Sequence, residues 1–224
     1  MAEAEVPAAA VPALKEWAAI VRALLAGEQI IDVRKGGLRE PGRHFGLPSV
    51  RCWLFPTVEH QRPELLKPAY RRWAEDTAVA PVSGAPDRAE AGTSDGVIEI
   101  GGWAEIVGVA TVTDERALDA LDPRVVWTRD YVERRFAWKR RDPLWVLALR
   151  VHRLLEPRRI PWRDAYRGCA SWVTLTDLLD DPAEPASVPA VTDVAFEARL
   201  AGLAEVLPGG FRPPEPEPGG TERR

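Results

Sequence analysis

A chain of 224 residues that is 46% hydrophobic and 29% charged, with a formal net charge of −4, is ordinary globular material with enough length for one full core. No apolar run approaches the roughly 18 residues of a membrane span, and the two cysteines, Cys52 and Cys169, lack Cys-x-x-Cys spacing, so membrane, disulfide and zinc frameworks are excluded as expectations. Ala2 to Ala10 carries acidic residues and a proline without a basic n-region, which argues against a secretory leader and for a cytoplasmic protein.

Residues 1–11 read as a disordered N-terminus. Leu14, Trp17, Val21 and Leu24 then recur at helical spacing, with Lys15, Glu16 and Arg22 on the other face, which predicts an amphipathic helix over 12–26 ended by Gly27. Gln29 to Arg34 alternates as a strand, with Ile31 and Val33 on one side and Asp32 and Arg34 on the other. Val50 to Phe55 is a second, aromatic-rich strand stopped by Pro56, and Pro63 opens a helix through Trp73. Residues 79–96 are Ala, Pro, Gly, Ser and Asp with hardly a large apolar side chain, a mobile insertion in a single domain spanning 12–206.

Val97 to Ile100 and Trp103 to Val112 read as strands, with Gly108 marking a bulge or a close backbone approach. Ala117 to Leu121 and Arg129 to Trp138 read as helices, Leu144 to Leu155 as the longest strand, Ser171 to Leu175 as another strand, and Val191 to Val206 as the last helix. Cys52 and Cys169 both fall in apolar strand-like runs, where the expectation is two reduced, buried thiols. Residues 207–224 form a Pro-, Gly- and Glu-rich tail expected to be disordered. Separated strands with glycine bends and flanking helices predict an α+β fold built on a small, curved, mostly antiparallel sheet or an open β-barrel.

Arg34, Lys35, His60 and Gln61 fall at strand exits, where a rigid sheet presents polar groups to a ligand. The net charge conceals bands: Lys and Arg against Asp and Glu stand 11 to 6 over residues 15–73, 2 to 11 over 74–122, 13 to 5 over 123–167 and 1 to 7 over 168–208. Such bands either form a basic face for nucleic acid or neutralise one another across the fold. The helix around Arg134, Arg135, Phe136, Trp138, Lys139 and Arg140 combines phosphate-binding cations with aromatic rings able to stack a base.

These residues support a nucleic-acid-binding module in which Arg34, Lys35, Arg134, Arg135, Lys139 and Arg140 hold phosphates while His60 and Gln61 read a polar ligand. A second reading is a metal-dependent phosphodiesterase in which Asp32, Lys35, Glu59 and His60 converge on a metal and hydrolyse a phosphodiester. A third is a non-catalytic surface for a partner protein or a second copy of the chain. No phosphate loop, dinucleotide fingerprint or nucleophile elbow occurs, so no cofactor is expected, and no set of residues has metal-ligand spacing.

The blocks Lys15-Glu16-Trp17, Ala23-Leu24-Leu25-Ala26-Gly27-Glu28-Gln29, Arg34-Lys35-Gly36-Gly37, Leu54-Phe55-Pro56-Thr57, Glu59-His60-Gln61, Trp145 to Leu154 and Gly168-Cys169-Ala170-Ser171-Trp172-Val173 together resemble a bacterial and archaeal family catalogued as domain of unknown function 1802. The resemblance spans about residues 14–178. Some members of that family are joined to a restriction-endonuclease-like domain, which implies a DNA-related, restriction-modification-associated role. A weaker likeness links the Gly27 turn, the Arg34-Lys35 strand end and the Gly102 to Val112 strand to the PUA, ASCH and EVE barrels, and implies a PUA-like barrel that binds RNA or modified bases.

Overall fold

The computed structural model describes residues 11–35, 46–79, 96–138, 142–178, 181–183 and 185–216. Lys139 and Arg140 lie outside the described residues, as do 80–95 of the expected insertion, 1–10 of the N-terminus and 217–224 of the tail.

The chain enters as a strand where the spacing predicts a helix. Pro12–Trp17 form β1, and Ala18–Leu25 alone form helix α1. Ala13 belongs to a small core on one face of the sheet and Leu14 to the large core on the other. A strand buried on both faces has no polar side to reveal its period of two, so Leu14 and Trp17 could be mistaken for one helical stripe. The rest of the chain follows the expected order more closely. Ile31–Arg34 form β2, and Arg51–Thr57 form β3, which passes through Pro56 instead of stopping there. In β3, Cys52 and Leu54 enter the large core while Trp53 and Phe55 enter the small one.

The helix expected from Pro63 is divided. Pro63–Leu65 and Pro68–Tyr70 are short 3-10 turns, and α2 runs only over Arg71–Val79. Lys67, held extended at φ −57° and ψ 147° ahead of Pro68, separates the two turns, as the ring of a following proline requires.

The two stretches expected around residues 97–112 are one strand, β4 (Val97–Val112), which pairs with a slightly longer β5 (Leu144–Pro161). Between them lie α3 (Arg116–Leu121) and α4 (Arg129–Ala137), the latter capped by Thr128, whose hydroxyl accepts from the Tyr131 N–H at 3.3 Å. The β4–β5 register shifts between Ile100 and Gly102 and again between Ile106 and Gly108. A Cβ on Gly108 would stand 2.9 Å from the Cβ of Phe211, so this glycine admits the chain that returns over the sheet. There Val109 and Arg212 exchange both backbone hydrogen bonds at 2.9 Å. β6 (Trp172–Thr174), β7 (Ser187–Pro189) and α5 (Asp193–Ala204) complete the described elements.

The strands lie in the order β2-β5-β4-β3-β1-β6, with β7 also on β5. Among the described pairings β1 with β3 is the parallel one and the others are antiparallel, which makes this an α+β fold on a mixed, mostly antiparallel, open sheet. Three strands separate β2 from β1 in that order, yet Nη2 of Arg34 on β2 donates to the Lys15 carbonyl on β1 at 2.9 Å. The sheet therefore curls until its first strand faces its fifth, and side chains rather than a ladder bridge the seam. No described helix is long and apolar enough to cross a membrane.

Candidate functional site

The seam concentrates charge that an antiparallel ladder would have made unnecessary. Lys15, Glu16, Asp32, Arg34 and Lys35 are all buried, with Asp32 at 0% exposure. Buried charges persist only when paired and hydrogen-bonded, and here Arg34 serves two acids: Nε reaches Asp32 at 2.6 Å and Nη2 reaches Glu16 at 2.9 Å. Asp32 also accepts the Val33 N–H at 2.9 Å, and Glu16 the Trp17 N–H at 2.7 Å. Burial raises the Glu16 carboxyl above its ordinary value and Asp32 adds to that, with Arg34 opposing.

Lys15 acts as a staple between two loops. Its ammonium donates to Glu59 at 2.9 Å, to the Tyr166 carbonyl at 2.6 Å and to the Gly168 carbonyl at 2.9 Å. Glu59 accepts in turn from the Gly168 N–H at 3.1 Å. Against the same seam α4 is held by aromatic contact, with Tyr131 stacked on Trp17 at a centroid distance of 5.3 Å. Arg135, one turn along α4, donates Nη1 to the Tyr131 hydroxyl at 2.5 Å, and its Nε is buried with no hydrogen-bond partner among the described residues. Lys35 at the exit of β2 donates to the Phe136 carbonyl at 2.6 Å and lies over the Phe136 ring at 5.4 Å. Burial lowers the pKa of the Lys35 ammonium, with Asp142 opposing through space.

These elements line an open cleft of about 160 Å³. Its lining comes from Lys15, Glu16 and Trp17 on β1, Arg34 and Lys35 at the end of β2, Thr57, Glu59 and His60 at the end of β3, Arg135 on α4, and the loop Gly168 to Ser171. Blocks far apart in sequence thus converge, and they include five of those that carry the family resemblance.

Of the residues expected at a site, Arg34, Lys35, Glu59, His60 and Arg135 line this cleft. His60 stands exposed at the rim, in a tight turn at φ 59°. Asp32 lies behind Arg34, fully buried, and among the described residues no group of three His, Cys, Asp or Glu side chains could hold a metal ion. Gln61 points the other way: its carbonyl oxygen accepts the Ala19 N–H at 3.0 Å at the start of α1, and its amide donates to the Ala74 carbonyl at 3.1 Å on α2. Arg134 is solvent-exposed and ion-paired with Asp130 at 2.9 Å. Phe136 packs against the large core, whereas Trp138 is exposed.

The cysteines divide as well. Cys52 is buried, its thiol pushed up to about 12 by burial, but Cys169 is exposed and lines the cleft instead of the core. Lys15, Glu16 and the 168–171 loop are site residues that periodicity missed, because a buried Lys-Glu pair in a strand looks like the solvated face of a helix. The signal that did reach them was the motif resemblance.

Much of the banded charge is neutralised across the fold. The basic band of 123–167 meets the acidic band of 168–208 through Arg150 with Asp193 and Glu197, and through Arg163 with Asp177. The band of 15–73 meets that of 74–122 through Arg22 with Asp76 and Lys67 with Asp122. Within the cleft the acids are likewise occupied, Glu59 by Lys15 and Glu16 by Arg34. Lys35 and Arg135 have no carboxylate within ion-pair distance among the described residues.

A family model described as Domain of unknown function (DUF1802) matches residues 13–202 of this chain. No curated protein matches it. Among solved structures, a serine-to-alanine variant of ZmASCH from Zymomonas mobilis is similar at 14% identity and a TM-score of 0.42, over 77% of this chain and 92% of that one. ASCH from Zymomonas mobilis is similar at 14% identity and a TM-score of 0.40, over 74% of this chain and 87% of that one.

Proposed function

The chain belongs to the family described as Domain of unknown function (DUF1802), and we propose that this member is a nucleic-acid-binding module that takes a phosphate group in the seam cleft. The observation that carries this reading is the pair Lys35 and Arg135, two cations lining one cleft with no carboxylate within ion-pair distance among the described residues, Asp142 and Glu16 acting on them only through space, while Glu59 and Glu16 are held by Lys15 and Arg34. A guanidinium with an unpartnered Nε is suited to phosphate oxygens, and a buried ammonium with no carboxylate within ion-pair distance gains from an anion brought next to it. His60 at the rim and the hydroxyls of Thr57 and Ser171 add groups able to hydrogen-bond a base edge or a sugar. Arg34 acts in this reading as the brace of the cleft, and Gln61 as a brace between α1 and α2.

Fluorescence anisotropy with a labelled single-stranded oligonucleotide tests it. The wild type binds, and affinity falls as salt rises because bound phosphates release counterions. Replacing Lys35 and Arg135 together by Gln weakens binding by about tenfold or more and lowers the salt slope by about 0.7 for each single-strand phosphate that is no longer neutralised. Arg134→Gln, which breaks only an exposed ion pair, leaves binding within about twofold. A wild type that binds neither single-stranded nor duplex nucleic acid at about 50 mM salt overturns the reading.

A further inference from the structure

We propose that the group this cleft selects is a terminal phosphate monoester, at the end of a strand or on a mononucleotide, and not a phosphodiester within a strand. The inference rests on the nucleic-acid reading and names which phosphate the site takes.

Charge is the first argument. A monoester carries close to two negative charges near neutral pH, against one for a diester, and the cleft presents two cations without ion-pair partners among the described residues. Their proximity is built in, because the Lys35 ammonium bonds the carbonyl of Phe136, the residue next to Arg135, at 2.6 Å. That ammonium has three donors and one of them is used by Phe136.

Donor geometry is the second. Nη1 of Arg135 is occupied by the Tyr131 hydroxyl, which fixes the guanidinium and leaves its buried Nε unpartnered among the described residues. A buried donor without an acceptor is rare enough to need an explanation. An oxygen-rich anion in the cleft supplies the missing acceptor and uses the planar fork side-on, a fit that a monoester with three terminal oxygens meets better than a diester with two. The buried, lowered-pKa Lys35 points the same way, since a dianion beside it restores the stability of its charged form.

The test compares one short single strand in three forms, with a 5′-phosphate, with a 3′-phosphate and with hydroxyl ends, and adds inorganic phosphate and a nucleoside 5′-monophosphate as competitors. Expected is a preference of about tenfold or more for one phosphorylated end over the hydroxyl form. That preference should disappear in Lys35→Gln and Arg135→Gln, remain in part in Lys35→Arg, and be relieved by the competitors. Which end is preferred identifies the source of the phosphate. Equal binding of all three strands, still abolished in the two Gln variants, overturns this inference and leaves the nucleic-acid reading standing. Binding of phosphate and mononucleotide with no binding of any strand supports the terminal-phosphate site and overturns the nucleic-acid reading. Because the preference is measured within the wild type, a variant that fails to fold does not decide the matter.

Discussion

Replacing Arg34 by Met keeps most of the stem and removes the charge that bridges the seam. The wild-type side chain is 5% exposed, holds Asp32 at 2.6 Å and Glu16 at 2.9 Å, and donates to the Lys15 carbonyl at 2.9 Å. Loss of the guanidinium leaves two carboxylates, 0% and 6% exposed, without their cation. Removing one partner of a buried pair costs about 3–5 kcal/mol. For a domain of this size each kcal/mol moves Tm by about 2–4 °C, so the expected loss is about 6–20 °C. Circular dichroism melts near neutral pH measure it. Two internal checks follow from the same geometry. Asp32→Asn added to Arg34→Met recovers part of the loss by removing one orphaned charge. The gap to wild type also narrows in acid, because the raised pKa of Glu16 lets it take up a proton early and end its own part of the penalty. A single variant that melts within about 2 °C of wild type refutes the claim that an ion-pair bridge closes this sheet.

Gln61→Ala should lower stability by about 1–3 kcal/mol through the N–H it leaves without an acceptor at Ala19 and the lost bond to the Ala74 carbonyl, while oligonucleotide affinity stays within about twofold. Weakened affinity at unchanged Tm makes Gln61 a ligand-reading residue instead. His152, stacked on Trp103 at 4.1 Å, has its pKa lowered by burial and Arg150, with Arg51 adding to this and Glu105 and Asp193 opposing. A base with a depressed folded pKa contributes stability that is present above its ordinary value of 6.5 and lost as pH falls through the folded pKa. His152→Phe, which keeps a ring on Trp103, should therefore gain on wild type in urea unfolding as pH drops below 6.5, and parallel pH profiles refute that sign.

In α4 and α5, where one face of the helix meets water, the sequence was readable. α4 and α5 showed their boundaries to within a residue or two, and the glycine at 108 announced the close passage of Phe211. β1 was not readable, because Ala13 and Leu14 are buried on opposite sides and Lys15 and Glu16 are buried with them. The same burial hid the site. Lys15 and Glu16 acquire their roles from Glu59, Arg34 and the carbonyls of residues 166 and 168, partners that stand between 18 and 153 positions away and leave no local pattern. Strand exits did point to Lys35 and His60, since a polar residue at the end of an apolar strand is placed by the strand itself. Arg135 was visible only as one of a run of cations; which of them turns inward depended on the stacking of Tyr131 on Trp17.

The most direct measurement is the side-chain Nε–H resonance of Arg135 in nitrogen-15-labelled protein, assigned by its loss in Arg135→Lys and followed during titration with a 5′- or 3′-phosphorylated dinucleotide. That Nε is buried and without an acceptor among the described residues of the free protein. The account predicts a saturable shift of this resonance on binding, in the direction of a new charge-assisted hydrogen bond, with the Gly168 to Ser171 amides moving at the same ligand concentration. Binding that leaves Arg135 and that loop unmoved would contradict it and place the nucleic-acid interface elsewhere on the molecule.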